Sequence, residues 1–149
     1  MAHRNIFKKI LFCTDFSANA DEAFRYALNI AEGNPESELV IFHIIPEPDA
    51  QFWKSYIYEL DEVDTKAKAD IDAKMENAYI SKIPETIHYS VKMDVGRVNQ
   101  KILEAAGEKE ADLIIIGRQG SSRIKTLFYG NTAEYVARKS SCPVLIIPA

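Results

Sequence analysis

Leu113-Ile114-Ile115-Ile116-Gly117-Arg118-Gln119-Gly120 carries the decisive pattern in this chain. Four consecutive apolar residues leave no polar face, so the run reads as a parallel strand covered on both sides rather than a half-exposed one. The glycines that follow read as a loop at its carboxyl end. Three further runs repeat the pattern: Ile10-Leu11-Phe12-Cys13-Thr14, Leu39-Val40-Ile41-Phe42-His43-Ile44-Ile45 and Pro143-Val144-Leu145-Ile146-Ile147. Thr86–Met93 differs, since Ile87, Tyr89, Val91 and Met93 alternate with His88, Ser90 and Lys92. That alternation suits a half-exposed edge strand.

Helical spacing fills the intervals. Ala20, Ala23, Phe24, Ala27, Leu28 and Ala31 recur at i, i+3, i+4, i+7, i+8 and i+11, one buried stripe, with Ser17 placed to cap it and Gly33-Asn34-Pro35 to stop it. From about Ala50 to Ala78, Trp53, Tyr56, Ile57, Leu60, Val63, Ala67, Ile71 and Met75 keep helical spacing, and the charges between Glu59 and Glu76 read as a solvated face. A third helix is predicted over about Val98–Lys109, burying Val98, Ile102, Leu103 and Ala106, and a fourth over about Asn131–Lys139. Strands and helices therefore alternate through the whole chain. One domain over residues 1–149 is expected, an open twisted five-stranded parallel sheet with helices on both faces and right-handed crossovers.

Composition sets bounds on function. The 149 residues suffice for one substantial core, and 47% hydrophobic with 27% charged residues is the balance of a globular protein. Eighteen basic against twenty-two acidic residues give a net charge of −4, which argues against a dedicated nucleic-acid binder. Met1–Lys9 lacks the apolar centre of a signal peptide, and no stretch approaches the roughly 20 apolar residues of a membrane span, so the cytoplasm is the expected compartment. Cys13 and Cys142 each sit in an apolar run and read as small core residues.

In a doubly wound sheet, ligands bind beyond the carboxyl ends of the strands, where the winding direction reverses. The loop there runs from Gly117 through Gly120 to Gly130-Asn131-Thr132-Ala133-Glu134. Gly117 and Gly120 permit positive φ and let backbone N–H groups approach an anion. Asn131 is a good N-cap, with Glu134 three residues later as in a capping box, and a helix N-terminus favours phosphate. Ser121, Ser122 and Thr132 add hydroxyls; Arg118, Arg123 and Lys125 add positive charge. A plain surface loop would also use such glycines.

The spacing G-x2-G-x9-G resembles the ATP-binding signature of the universal stress protein family. Four other pieces are similar to that family in the same order. They are Lys9–Ser17 at the first strand and turn, Phe42-His43-Ile44-Ile45 at the second strand, Gly96 with Val98, Ile102 and Ala105, and Cys142–Ile146 at the close. The resemblance implies a Rossmann-like sheet in strand order 3-2-1-4-5 and a homodimer through Val144–Ile147. It implies an ATP site that includes Thr14, in which Cys13 lies near the base, Asp15 meets the ribose and adenine, and Ile44 pairs with the adenine edge through its backbone. Gly117, Arg118, Gly120, Gly130, Asn131 and Thr132 would hold the phosphates, with Mg²⁺ or Mn²⁺ able to bridge them. Asn131 stands where the family pattern has Ser or Thr, which weakens the expected affinity. For Asp15, an Asx-turn or cap before Ser17 is an alternative role that can coexist with binding.

Other nucleotide and catalytic signatures are missing. The chain has no G-x4-G-K-[ST] loop, no G-x-G-x-x-G after the first strand, no G-x-S-x-G elbow and no His/Cys metal spacing. His3, His43 and His88 are scattered, and His43 reads as a hydrogen-bonded residue at a strand end. The expectation is a non-catalytic or very slow ATP-binding switch acting through a regulatory partner. An ATP hydrolase or nucleotidyl-transfer enzyme, and an interaction module without nucleotide, are the alternatives.

Overall fold

The computed structural model describes residues 6–46, 61–118 and 131–148. Strand β1 (Lys9–Thr14) leads to α1 (Ala18–Glu32), β2 (Glu38–Pro46) and α2 (Asp61–Ala78), which ends in a 3₁₀ turn at Ile80–Lys82. Then come β3 (His88–Gly96), α3 (Val98–Glu108), β4 (Leu113–Gly117), α4 (Asn131–Lys139) and β5 (Val144–Ile147). All five strands are parallel in the order β3-β2-β1-β4-β5, as the resemblance implied.

The period-2 alternation of each strand separates two cores. On one face Ile10, Phe12, Leu39, Ile41, Leu113 and Ile115 pack against Ala23, Phe24, Ala27 and Ala31 of α1 and against Met75 and Tyr79. On the other face Leu11, Cys13, Val40, Phe42, Ile44, Ile114 and Ile116 meet Ile102 and Ala105 of α3 and Ala133 and Val136 of α4. Both faces of β1 and β4 are buried, which is why Ile10–Cys13 and Leu113–Ile116 carry no polar residue.

Local signals fall where the sequence puts them. Ser17 caps α1, its Oγ accepting the Ala20 N–H at 3.1 Å. Helix α1 buries the alanine stripe around Phe24, with Leu28 half-buried. Of the long amphipathic stretch, α2 covers residues 61–78, with Met75 buried and Asp70, Asp72, Lys74 and Glu76 exposed. Trp53, Tyr56, Ile57 and Leu60 lie outside the described residues.

Strand β3 is an edge strand, as its alternation suggested, but it begins at His88 and runs on to Gly96 because its ladder with β2 continues to Pro46↔Gly96. Tyr89 and Val91 on this strand remain 42% and 40% exposed. Helix α1 is laid mainly over β4, β1 and β5, so these side chains fall beyond its cover.

Candidate functional site

The winding reverses between β1 and β4, the place where such sheets accept ligands. Strand β1 also stops early there. Its ladder with β2 ends at Thr14↔His43 and its ladder with β4 at Cys13↔Ile116, whereas β2 and β3 stay paired through Pro46↔Gly96. Ile44 and the residues after it therefore have no partner on β1, which leaves a notch in the strand pairing beyond the β1 terminus.

Around the notch the fold gathers several of the expected residues. Cys13, Ile44 and Ile116 belong to one apolar cluster with Ala133 of α4, whose neighbour Thr132 is buried in the helix's first turn. Burial pushes the Cys13 thiol far above its ordinary value, so it acts as a small apolar side chain. Cys142 is a half-buried free thiol packed against the rim of this cluster, beside the Ser140 hydroxyl at 3.4 Å. Asn131 opens α4; its side chain, like Gly120 and Gly130, lies outside the described residues.

Gly117 serves a purpose other than the expected positive φ. Among the described glycines only Gly96 has positive φ, at 152°. At Gly117 a Cβ would sit 2.7 Å from the backbone oxygen of Asn19 and 3.2 Å from the nitrogen of Ala20. The bare backbone lets the first turn of α1 rest against the end of β4. Asn19 fastens that contact, its Nδ2 donating to the Arg118 carbonyl at 2.5 Å, and the Arg118 N–H donates to Ile147 at 2.7 Å. The strand end that feeds the glycine-rich loop is thus anchored to α1 and β5.

The β1–α1 turn is built from side-chain hydrogen bonds. Asp15 forms the Asx-turn anticipated from the sequence, its Oδ1 accepting the Ser17 N–H at 2.9 Å. Its Oδ2 bonds to none of the described residues. Phe16 takes φ 63°, unusual for a residue with a side chain, and donates its N–H to Thr14 Oγ1 at 2.9 Å. Thr14 Oγ1 also bonds the Tyr79 hydroxyl, which lies 3.0 Å from Asp21 Oδ1. The Thr14 hydroxyl is therefore engaged on the α1/α2 side. Sequence reasoning missed the roles of Tyr79, Phe16 and Asn19: Phe16 lies within the Lys9–Ser17 stretch, but no residue type or spacing marked any of the three. Burial holds the Tyr79 phenol well above its usual range, so it keeps its proton as a donor.

His43 is buried, with Nδ1 2.9 Å from the Thr14 carbonyl and its ring 4.6 Å from that of Phe16. A carbonyl only accepts, so Nδ1 carries the proton. Burial lowers the His43 pKa from its ordinary 6.5, outweighing the Thr14 hydrogen bond and the Asp15 charge that raise it, while Lys74 lowers it further. Above 6.5 the imidazole is neutral in both states and contributes nothing to the pH dependence. As pH falls below 6.5 the unfolded chain takes up a proton that the folded one resists, so stability declines down to the folded pKa. Urea denaturation between pH 7 and 5 is expected to show this fall, and His43→Gln to flatten it; an equal slope in both proteins would exclude His43 as its source.

Among the described residues, no group of three or more His, Cys, Asp or Glu side chains is placed to hold a metal ion. No described helix is long and apolar enough to cross a membrane. Taken together, fold and site define an α/β protein of the doubly wound class with a candidate ligand notch at its switch point. The universal stress protein family matches residues 6–148, and this chain belongs to that family. Universal stress protein MJ0577 of Methanocaldococcus jannaschii is 30% identical to it over 159 aligned positions, covering 95% of each chain. A solved structure of hypothetical protein MJ0577 superposes with a TM-score of 0.72, at 25% identity and 97% coverage of both chains. The same fold recurs in two complexes. One is a universal stress protein with cAMP (TM-score 0.63, 22% identity, 96% and 98% coverage), the other an Archaeoglobus fulgidus universal stress protein with dAMP (0.61, 20%, 95% and 98%).

Proposed function

We propose that this chain binds an adenine nucleotide, ATP in its working state, across the notch over β1, and that occupancy of the site changes what the protein contacts. The observation that carries this reading is the convergence of Cys13, Asp15, Ile44, Gly117 and the first turn of α4 on the switch point. Chemically the arrangement suits a nucleotide end to end. Cys13 and Ile44 offer an apolar floor for a base, and the Asp15 carboxylate accepts from ribose hydroxyls. The α4 N-terminus with Thr132, the charge of Arg118 and the glycines at 120 and 130 favour phosphates, which Mg²⁺ or Mn²⁺ would bridge. Relatives of this fold crystallised with cAMP and dAMP support the same class of ligand.

The proposed role is a switch with no or very slow hydrolysis. His43, the one buried imidazole among the described residues, already spends its Nδ1 proton on Thr14, and Asp15 belongs to the nucleoside end. A regulatory partner would read the nucleotide state, since a switch needs something that distinguishes its two forms. Pairing of β5 edges from two copies, through Val144–Ile147, would make the homodimer and cover an edge that otherwise invites aggregation. The free thiols Cys13 and Cys142 suit a cytoplasmic protein.

Protein purified without added nucleotide, then denatured, is expected to release an adenine nucleotide, and the stripped protein to bind ATP more tightly than AMP. Retention and binding of none would sink the reading; turnover above roughly 1 s⁻¹ would make the protein an enzyme instead. Gly120→Val is expected to weaken ATP binding by about tenfold or more, about 1.4 kcal/mol, by keeping backbone N–H groups from the phosphates. Unchanged affinity in that variant would remove the loop from the site.

A further inference from the structure

Among the described residues Asp15 makes one hydrogen bond, accepting the Ser17 N–H, within a turn whose next residue is in the left-handed region. That conformation is unfavourable for a residue with a side chain unless its surroundings hold it. What holds it comes from far along the chain. The Tyr79 ring stacks on Phe16 at 5.9 Å and 17°, with the His43 ring on Phe16 at 4.6 Å. The hydroxyl adds a chain whose direction is forced. Thr14 Oγ1 accepts the Phe16 N–H, Tyr79 Oη bonds Thr14 Oγ1, and Tyr79 bonds Asp21 Oδ1, which only accepts. Tyr79 therefore donates to Asp21 and must accept the Thr14 proton. Its one oxygen joins the last residue of β1 to the first turn of α1, and Asp15 lies on the short span between.

We propose that Tyr79 is a positioning residue for the Asp15 carboxylate: its hydroxyl locks the β1–α1 turn in the form that leaves Asp15 Oδ2 available to ribose hydroxyls. The inference rests on the adenine-nucleotide reading above. Tyr79→Phe keeps the aromatic packing against Phe12, Phe16 and Phe24 but removes the oxygen that spans the turn. Thr14→Val cuts the same chain at its other end, and Thr14→Ser preserves it.

The test compares affinities for ATP and 2′,3′-dideoxyadenosine triphosphate, which lacks the hydroxyls Asp15 would hold. The wild-type protein is expected to prefer ATP by about tenfold or more, the worth of a hydrogen bond to a charged group. In Asp15→Asn, Tyr79→Phe and Thr14→Val that preference falls towards one, while Thr14→Ser keeps it. A role in packing alone would weaken both ligands equally or shift only the melting temperature. Retention of the full preference in Tyr79→Phe and Thr14→Val overturns the proposal; if Tyr79→Phe does not fold, the two Thr14 variants decide. Equal wild-type binding of the two ligands removes Asp15 from the ribose and the proposal with it. Binding of neither defeats the nucleotide reading itself.

Discussion

Gly117→Val is expected to lower the unfolding free energy by about 3 kcal/mol and to abolish the proposed nucleotide binding in the same step. The added Cβ would lie 2.7 Å from the Asn19 oxygen and 2.8 Å from its carbonyl carbon. Both are backbone atoms of a helix whose alanine face is already seated on the sheet, so neither can yield by a rotamer change. Either α1 lifts from the sheet, opening the core around Ala20 and Ala23, or β4 bends away and releases Arg118 from Asn19 and Ile147. Each outcome displaces the strand end from which the glycine-rich loop starts. Gly107 supplies the matched control. It lies in α3, where an added Cβ would meet nothing within 4 Å, so Gly107→Ala is expected to raise stability by about 0.5 kcal/mol. Urea midpoints for the two variants, moving in opposite directions, would establish that close approach rather than glycine itself sets the cost. A Gly117→Val protein as stable as the parent would refute the packing.

Phe12→Ala is expected to cost about 4 kcal/mol, enough to threaten folding of a domain this size. Phe12 is fully buried at the centre of the sheet, 5.5 Å from the Phe24 ring and 5.3 Å edge-on from Tyr79. It ties β1 to α1 and to the end of α2 at once, so its removal leaves a cavity that rigid strands on both sides cannot close. Val91→Ala on the exposed edge is expected to cost about 0.5 kcal/mol, because Val91 is already 40% exposed. A Phe12→Ala loss below about 1.5 kcal/mol would mean that the site collapses around the smaller side chain. Because Tyr79 leans on Phe12, the surviving Phe12→Ala protein is also expected to bind nucleotide less tightly.

How much of this was legible beforehand depends on how far apart the interacting residues lie. The uninterrupted apolar runs at 10–13, 39–42 and 113–116 show two-sided burial without reference to anything else in the chain. The spacing of Ala20, Ala23, Phe24, Ala27 and Ala31 likewise gives a helix with one buried stripe. Ser17 capping α1 and Asp15 turning onto the Ser17 N–H span two or three residues, and each could be read from residue type and offset. The outer face of β3 could not, because alternation identifies two faces without saying how far a neighbouring helix reaches.

By itself the sequence determined the alternating strands and helices, the capped start of α1, the burial of both faces of the central strands and, through the family resemblance, the strand order. Those features follow from backbone geometry acting over a few residues, or from a pattern shared along the whole chain. Only the tertiary structure decided that Gly117 is there to admit the first turn of α1, 97 to 98 residues before it in the chain. It alone brought Tyr79 beneath the Thr14 hydroxyl, across 65 positions. Such contacts depend on strand order, register and helix placement together, and no local pattern of residue types encodes their product.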